Sequence, residues 1–387
     1  MNDAPNMNSL PGLLPAGLMD LLPPEAEREA MLVEALMEGF ARHGYERVKP
    51  PLLEFEEGLL AGSGAAVAEQ TFRLMDPVSQ RMMGLRADTT PQVARIAATR
   101  LGLQARPLRL CYAGQVLRVR GSELAPSRQL AQAGIELIGG AAPEADAEVA
   151  LVAAEALARI GIADITLDVT LPRMAHALLA AGGIGDALSE RLVRALDRKD
   201  AAAVAALAEG AGPVALLLPR LLAAAGPAAH ALSVLRAADL PEAARAIAEN
   251  AARIIEAIAA RAPGLRITLD PVEFRGFRYH VGVAFTIFGP GFSGELARGG
   301  RYLSANDEPA TGMTLYPDAV LRAAPVVPPR PRCFLPLGTA AAEGEALRQQ
   351  GFATVAALSG EDAPAALRCT HSWEGGEPVP LVQKGSS

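Results

Sequence analysis

The clearest alternation of apolar and polar positions runs from Leu108 to Gly139, LRLCYAGQVLRVRGSELAPSRQLAQAGIELIG. It predicts two β-strands around a breaker cluster, GSELAPS. Side chains alternate along a strand, so Arg118 and Arg120 leave one face, while Gln132, Gly134 and Glu136 share one face of the second strand. Polar residues at period two inside apolar strands suit the floor of a cleft, and a small ligand bearing both an ammonium and a carboxylate would match it. An ordinary antiparallel sheet with its polar side in water gives the same pattern, so the alternation leaves both readings open.

Before this stretch, residues 1–20 read as a flexible leader. Pro23 and Pro24 precede an acidic turn at Glu25 and Glu27, and Met31, Leu32, Ala35, Leu36 and Phe40 then recur at helical spacing up to Gly44. Tyr45 to Phe55 is extended and broken at Pro50 and Pro51, and a strand hairpin follows that turns at Asp76 and Pro77. Thr90 before Pro91 predicts an N-cap and first helical residue, with Gly102 at the far end. Arg86, Asp88 and Thr90 then sit at a helix N-terminus, where an anion can bind and Asp88 could meet a ligand ammonium. By local pattern alone, simple capping by Asp88 and Thr90 is the better reading.

After Gly139 an alanine-rich helix runs to Gly161, ITLDVT forms a short strand, and residues 173–260 are almost wholly helical in composition and period. They read as a helical insertion between two sheet-forming parts of one core, 21–172 and 261–324. The second part opens with strand alternation from Tyr279 to Ile287, and Gly299, Gly300 and Arg301 read as a tight turn. Residues 325–387 are a linker and a short strand–helix–strand segment, below the usual size of an independent domain.

A length of 387 residues suggests two or three domains, and a net charge of -7 offers no overall attraction to nucleic acid or anionic membranes. Cys111, Cys333 and Cys369 are too far apart for a zinc motif or disulfide framework, which suits a reducing cytoplasm. The leader lacks the basic head and apolar run of a signal peptide, and no apolar stretch reaches membrane-spanning length. His43, His176 and His230 lack ligand partners at i+4, so no metal or cofactor is expected.

The segments LRADTT, VLRVR, SRQLAQAGIELIG, FRGFRYH and ARGGRY, in this order, resemble the catalytic core of class II histidyl-tRNA synthetases over roughly residues 12–320. The resemblance implies an α+β fold, an antiparallel sheet flanked by helices, here with the helical insertion and the short C-terminal α/β segment. It also implies a histidine pocket. Asp88 stands where the family holds the amino group, with Thr90 beside it. Arg118 is the motif 2 arginine, Gln132 and Glu136 are pocket residues, and Arg275 matches the arginine that assists activation. Tyr279 and His280 lie where a tyrosine pair approaches the imidazole.

The departures point away from adenylate chemistry. Arg120 replaces a glutamate that helps bind adenine, Arg278 an aspartate, and Ala319 the motif 3 arginine that clamps ATP; roughly sixty residues stand where an anticodon-binding domain would be. This pattern is similar to the regulatory subunits of ATP phosphoribosyltransferase. That resemblance implies a non-catalytic chain of histidine biosynthesis that pairs with a short-form catalytic subunit. It further implies self-association through the synthetase-like core, L-histidine as feedback effector, and no tRNA partner. A working histidyl-tRNA synthetase, or a synthetase-like protein acting on another amino acid or acceptor, is the alternative.

Overall fold

Prolines and acids at its start make α1 (Glu25–Ala41) a helix where the pattern predicts one, and Gly44 at φ +78 turns the chain out of it. The buried stripe is Leu32, Leu36, Met37, Gly39 and Phe40; Met31 and Ala35 face outward instead. The computed structural model describes residues 13–121, 126–273, 280–326 and 328–381. It divides into two compact units, Met1–Pro325 and Val326–Ser387.

In the first unit α1 is followed by β1 (Glu46–Arg47), β2 (Leu53–Phe55), α2 (Glu56–Leu59), β3 (Arg73–Met75), β4 (Met82–Leu85) and α3 (Thr90–Thr99). Then come β5 (Leu108–Leu117), β6 (Gln129–Ile138), α4 (Pro143–Arg159) and β7 (Thr166–Thr170). The helical stretch comprises α5 (Met174–Ala181), α6 (Asp186–Asp197), α7 (Ala201–Ala208), α8 (Leu217–Ala223), the short β8 (Gly226–Pro227), α9 (Ala228–Arg236) and α10 (Glu242–Arg261). The unit closes with β9 (Arg266–Asp270), β10 (His280–Phe288), β11 (Glu295–Leu303), β12 (Pro309–Leu315) and α11 (Pro317–Ala323).

Nine strands make one sheet in the order β1-β5-β6-β12-β11-β10-β7-β9-β8, while β2, β4 and β3 form a small antiparallel sheet. Within the large sheet β1 runs parallel to β5 and β7 parallel to β9; the remaining pairs are antiparallel. Alternation decides what each face meets. On β6, Ala133, Ile135 and Leu137 join the main apolar cluster with Leu36 and Phe40 of α1 and Ala150 and Leu157 of α4. On the opposite face Leu108, Leu110, Tyr112, Ile138, Tyr302 and Ala310 pack with Val93, Ala94 and Ala97 of α3. Gln132, Gly134 and Glu136 lie on this α3 side and are buried, so the solvated-sheet reading of their alternation does not hold.

Several expectations shift. β5 ends at Leu117, so Arg118 and Arg120 lie past the strand rather than on one of its faces. Gly299, Gly300 and Arg301 are mid-strand residues of β11, because β12 pairs with all three and β10 with both glycines. Residues 173–260 hold six helices, yet these share the apolar cluster of α4 and the sheet, and β8 even extends the sheet edge. The described end of the leader is tied down: the Gly17 carbonyl accepts from the Arg128 amide at 2.7 Å and that of Ala16 from its guanidinium at 3.2 Å. Arg275, Arg278 and Tyr279 lie outside the described residues.

The second unit contains β13 (Arg332–Leu335), α12 (Ala341–Gln349), β14 (Ala353–Ala356), β15 (His371–Glu374) and β16 (Glu377–Pro380), with strand order β14-β13-β15-β16. The sequence suggests only its first strand, helix and second strand. Closing the sheet with the β15–β16 hairpin lets Trp373 and Phe352 cover a small core of Cys333, Leu335 and Leu347, so the segment is a compact unit despite its length. Among the described residues no helix is long and apolar enough to cross a membrane.

Candidate functional site

The site forms where the first turn of α3 meets the polar face of β6. Thr89 occupies the N-cap position and Thr90 is the first helical residue, one place earlier than the sequence suggests, and neither side chain caps the helix. They turn to the sheet instead. Gln132 Oε1 accepts from the Thr89 amide at 3.0 Å and its hydroxyl at 2.9 Å, while Gln132 Nε2 donates to Asp88 Oδ1 at 3.1 Å. Thr90 Oγ1 donates to Glu136 Oε1 at 2.8 Å, and the Tyr302 hydroxyl donates to Glu136 Oε2 at 2.9 Å. Tyr112 links Thr90, at 3.3 Å, to Thr314, at 2.7 Å. Simple capping by Asp88 and Thr90 is therefore not what these residues do.

The middle of this face lacks side chains. Register places Gly134 opposite Thr314 and Glu136 opposite Gly312, which in turn faces Gly300. A Cβ at Gly312 would stand 1.9 Å from Glu136 Oε2, and one at Gly134 would stand 2.5 Å from the Tyr112 hydroxyl, so both glycines are required by close approach. The space left is lined by Thr90, Glu136, His280, Arg298, Tyr302, Gly312 and Thr314 together with Gly299 and Gly300. Its volume is about 10 Å³, room for roughly one water.

Burial dominates the electrostatics. It pushes the Glu136 carboxyl up to about 8, with the Asp88 charge adding to it and the Thr90 and Tyr302 hydrogen bonds opposing it. Burial, aided by Glu136 and Asp88, keeps the Tyr112 hydroxyl protonated well above the ordinary phenol range. His280 is held neutral, its value lowered to about 3 by burial and by the Arg298 charge. For Glu136 the folded value exceeds the ordinary 4.5, so between 4.5 and about 8 the folded chain keeps a proton that the unfolded chain loses. Its contribution to stability is complete below 4.5 and falls as pH rises through about 8, by at most about 1.4 kcal/mol per pH unit. A thermal melt series from pH 5 to 9 is expected to show this decline, flattened in Glu136→Gln.

Asp88, Thr90, Gln132, Glu136 and His280 thus come together on one side of the sheet. Arg118 does not line the Glu136 cavity. Its Nε donates to the Ala87 carbonyl at 3.4 Å, and it borders a separate cavity of about 480 Å³ with Gln70, Arg120 and Ser127. Sequence reasoning missed Thr89, Tyr112, Arg298, Tyr302, Gly312 and Thr314. Tyr112 was findable, since period two places it with Leu110 on the face that meets Gly134. Tyr302 and Arg298 stand in ARGGRY, but read as a turn this segment gave no facing to either. Among the described residues no group of three or more His, Cys, Asp or Glu could hold a metal ion.

A largely antiparallel sheet backed by α1 and α4, with a buried polar pocket on its other face, defines a chain of the class II aminoacyl-tRNA synthetase fold, and residues 17–320 match the family model described as histidyl-tRNA synthetase. Within that class the chain belongs to the ATP phosphoribosyltransferase regulatory subunits, a non-catalytic family of histidine biosynthesis. It is 55% identical over 381 residues to the regulatory subunit of Rhodospirillum centenum, covering 97% of this chain and 98% of that one. The structure of an ATP phosphoribosyltransferase regulatory subunit/histidyl-tRNA synthetase from Bacillus halodurans shares the fold, with a TM-score of 0.79 at 24% identity over 95% of this chain and 97% of that one. A chain of the ATP phosphoribosyl transferase (HisG:HisZ) complex from Thermotoga maritima has a TM-score of 0.59 at 18% identity, covering 75% and 97% respectively.

Proposed function

We propose that this chain senses L-histidine in the Glu136 pocket and passes that signal to a short-form ATP phosphoribosyltransferase catalytic subunit. The observation that carries the reading is a pair of buried carboxyl groups, Asp88 and Glu136, which are 2% and 1% exposed and have no cation in contact among the described residues. Asp88 suits the ligand's ammonium. Glu136 suits its imidazole: a carboxyl held at about 8 and an imidazole near 6.5 differ by little more than a unit, so the pair keeps one shared proton near neutral pH. Tyr302 and Thr90 orient the Glu136 carboxyl for that contact. Arg275 and Tyr279 complete the proposed histidine set, and Arg118 serves its edge.

The partner rests on the family and on the structural likeness to a chain of the HisG:HisZ complex. Inhibition then requires that histidine bind the inhibited arrangement of the complex more tightly than the active one, since a ligand shifts an equilibrium only by its differential affinity. A coupling of about 1 to 3 kcal/mol, roughly 5- to 150-fold, is typical. Self-association through the core has a surface to use, because Met75, Val78 and Met82 around the β3–β4 turn expose apolar side chains.

The test is phosphoribosyl-ATP formation by the matching catalytic subunit, with and without this chain, across a histidine titration. Stimulation that histidine reverses is expected. Absence of both stimulation and co-purification would overturn the reading.

A further inference from the structure

We propose that Arg298 is the carboxylate anchor of this pocket and sets its preference for the whole amino acid over the corresponding amine. The inference rests on the histidine-sensing reading and adds a residue to it. Register places Arg298 opposite Thr314 on one side and Thr286 on the other, so it rises from the same sheet face as Gln132, Gly134 and Glu136. It lines the small cavity with Glu136, His280 and Thr314, and among the described residues it is the arginine that does so.

The spacing fits a zwitterion. Arg298 and Glu136 stand two strands apart and two residues out of step; with strands about 4.8 Å apart and about 3.4 Å per residue, their Cα atoms are separated by about 12 Å. Of the positions between them on that face, Gly300 and Gly312 carry no side chains and Thr314 carries only a short one. Two side chains leaning inward and one small ligand can fill that span, with a cationic end at the carboxyl groups and an anionic end at the guanidinium.

Arg298 is also the lining group freest to move. A cavity of about 10 Å³ admits no amino acid until something gives way. Glu136, His280 and Tyr302 are at most 5% exposed, whereas the Arg298 side chain is 27% exposed. Among the described residues its ion pair is with Glu295 at 3.3 Å, an arrangement that contributes little when partly solvated. Exchanging the Glu295 carboxylate for a ligand carboxylate keeps the guanidinium paired and opens the site in the same movement. A guanidinium can grip that group through two parallel N–H donors, which a lysine ammonium cannot reproduce.

Calorimetric titration of the full-length chain with L-histidine, its decarboxylated analogue histamine and histidine methyl ester tests this. Wild type is expected to bind histidine at least about 10-fold tighter than either analogue, the size of one charge-assisted contact. In Arg298→Met histidine is expected to weaken to the level of histamine while histamine itself is unchanged, and Arg298→Lys should recover part of the difference. An Arg298→Met chain that still discriminates fully, or a wild type that binds histidine and its methyl ester alike, would overturn the role of Arg298 and leave histidine sensing intact. A wild type that binds none of the three would sink both.

Discussion

Glu136→Gln is expected to leave the chain folded and able to join its catalytic partner, while the histidine concentration needed for half-inhibition rises by roughly 10- to 150-fold. Hydrogen bonds to charged groups contribute about 1.5 to 3 kcal/mol, and this substitution removes the proton that the carboxyl and the ligand imidazole would share without removing the shape. The amide oxygen can still accept from Tyr302, and its NH2 can donate to the Thr90 hydroxyl, so the neighbours Glu136 now satisfies are not orphaned. The measurement is inhibition of the assembled complex, with stimulation in the absence of histidine as its internal control. Unchanged inhibition would remove Glu136 from the sensor.

The largest loss of stability is expected at Asp146 rather than in the pocket. Arg301 leaves β11 on the face opposite Gly300 and grips Asp146 in the first turn of α4 through two bonds, at 3.0 and 2.7 Å. The same guanidinium donates to the carbonyls of Gly140 and Ala142, and Thr311 donates to Asp146 at 2.7 Å. Arg301 is 9% exposed and Asp146 1%. Asp146→Ala strands a buried guanidinium without its counter-charge, a change that costs about 3 to 5 kcal/mol where such pairs have been broken. Chemical denaturation should give a lower midpoint for Asp146→Ala, and a smaller loss if Arg301→Met accompanies it, because the second change removes the stranded charge. A double variant no better than the single would mean that the carbonyl contacts, not the ion pair, hold α4 to the sheet.

Sequence pattern carried the framework because period is a local property. The helix from Glu25, the strand pair from Leu108 and the run of helices after 173 all follow from spacing and breakers within a window of a few turns. The pocket was half legible. Gln132, Gly134 and Glu136 share a face by parity alone, but whether that face meets water or α3 depends on where a helix 40 residues earlier packs. Thr89 and Thr90 illustrate the limit: a Thr-Pro pair signals a helix start, yet the hydroxyls are drawn from the helix end by buried acceptors on β6. Gly299 to Arg301 mislead for a related reason, since paired glycines suit a turn by composition and a crowded sheet by contact, and only the neighbours distinguish these. Arg298 carries no local signal at all; its place follows from strand order.

That strand order also bears on how the chain is made. β6 lies between β5 and β12, so one edge of the strand carrying Gln132 and Glu136 finds its partner only after about 170 further residues, from Ile138 to Pro309, have been synthesised. At roughly 5–20 residues per second, a ribosome needs about 10 to 35 s to deliver it. Through that interval a nascent chain holds a strand that β5 can pair on one edge and that α1, α3 and α4 can cover, but whose β12-facing edge leaves its backbone N–H and C=O groups unpaired. The vulnerable species in a cell is then the half-finished polypeptide, and slow translation of the alanine-rich middle would lower the yield of soluble chain without touching the mature molecule.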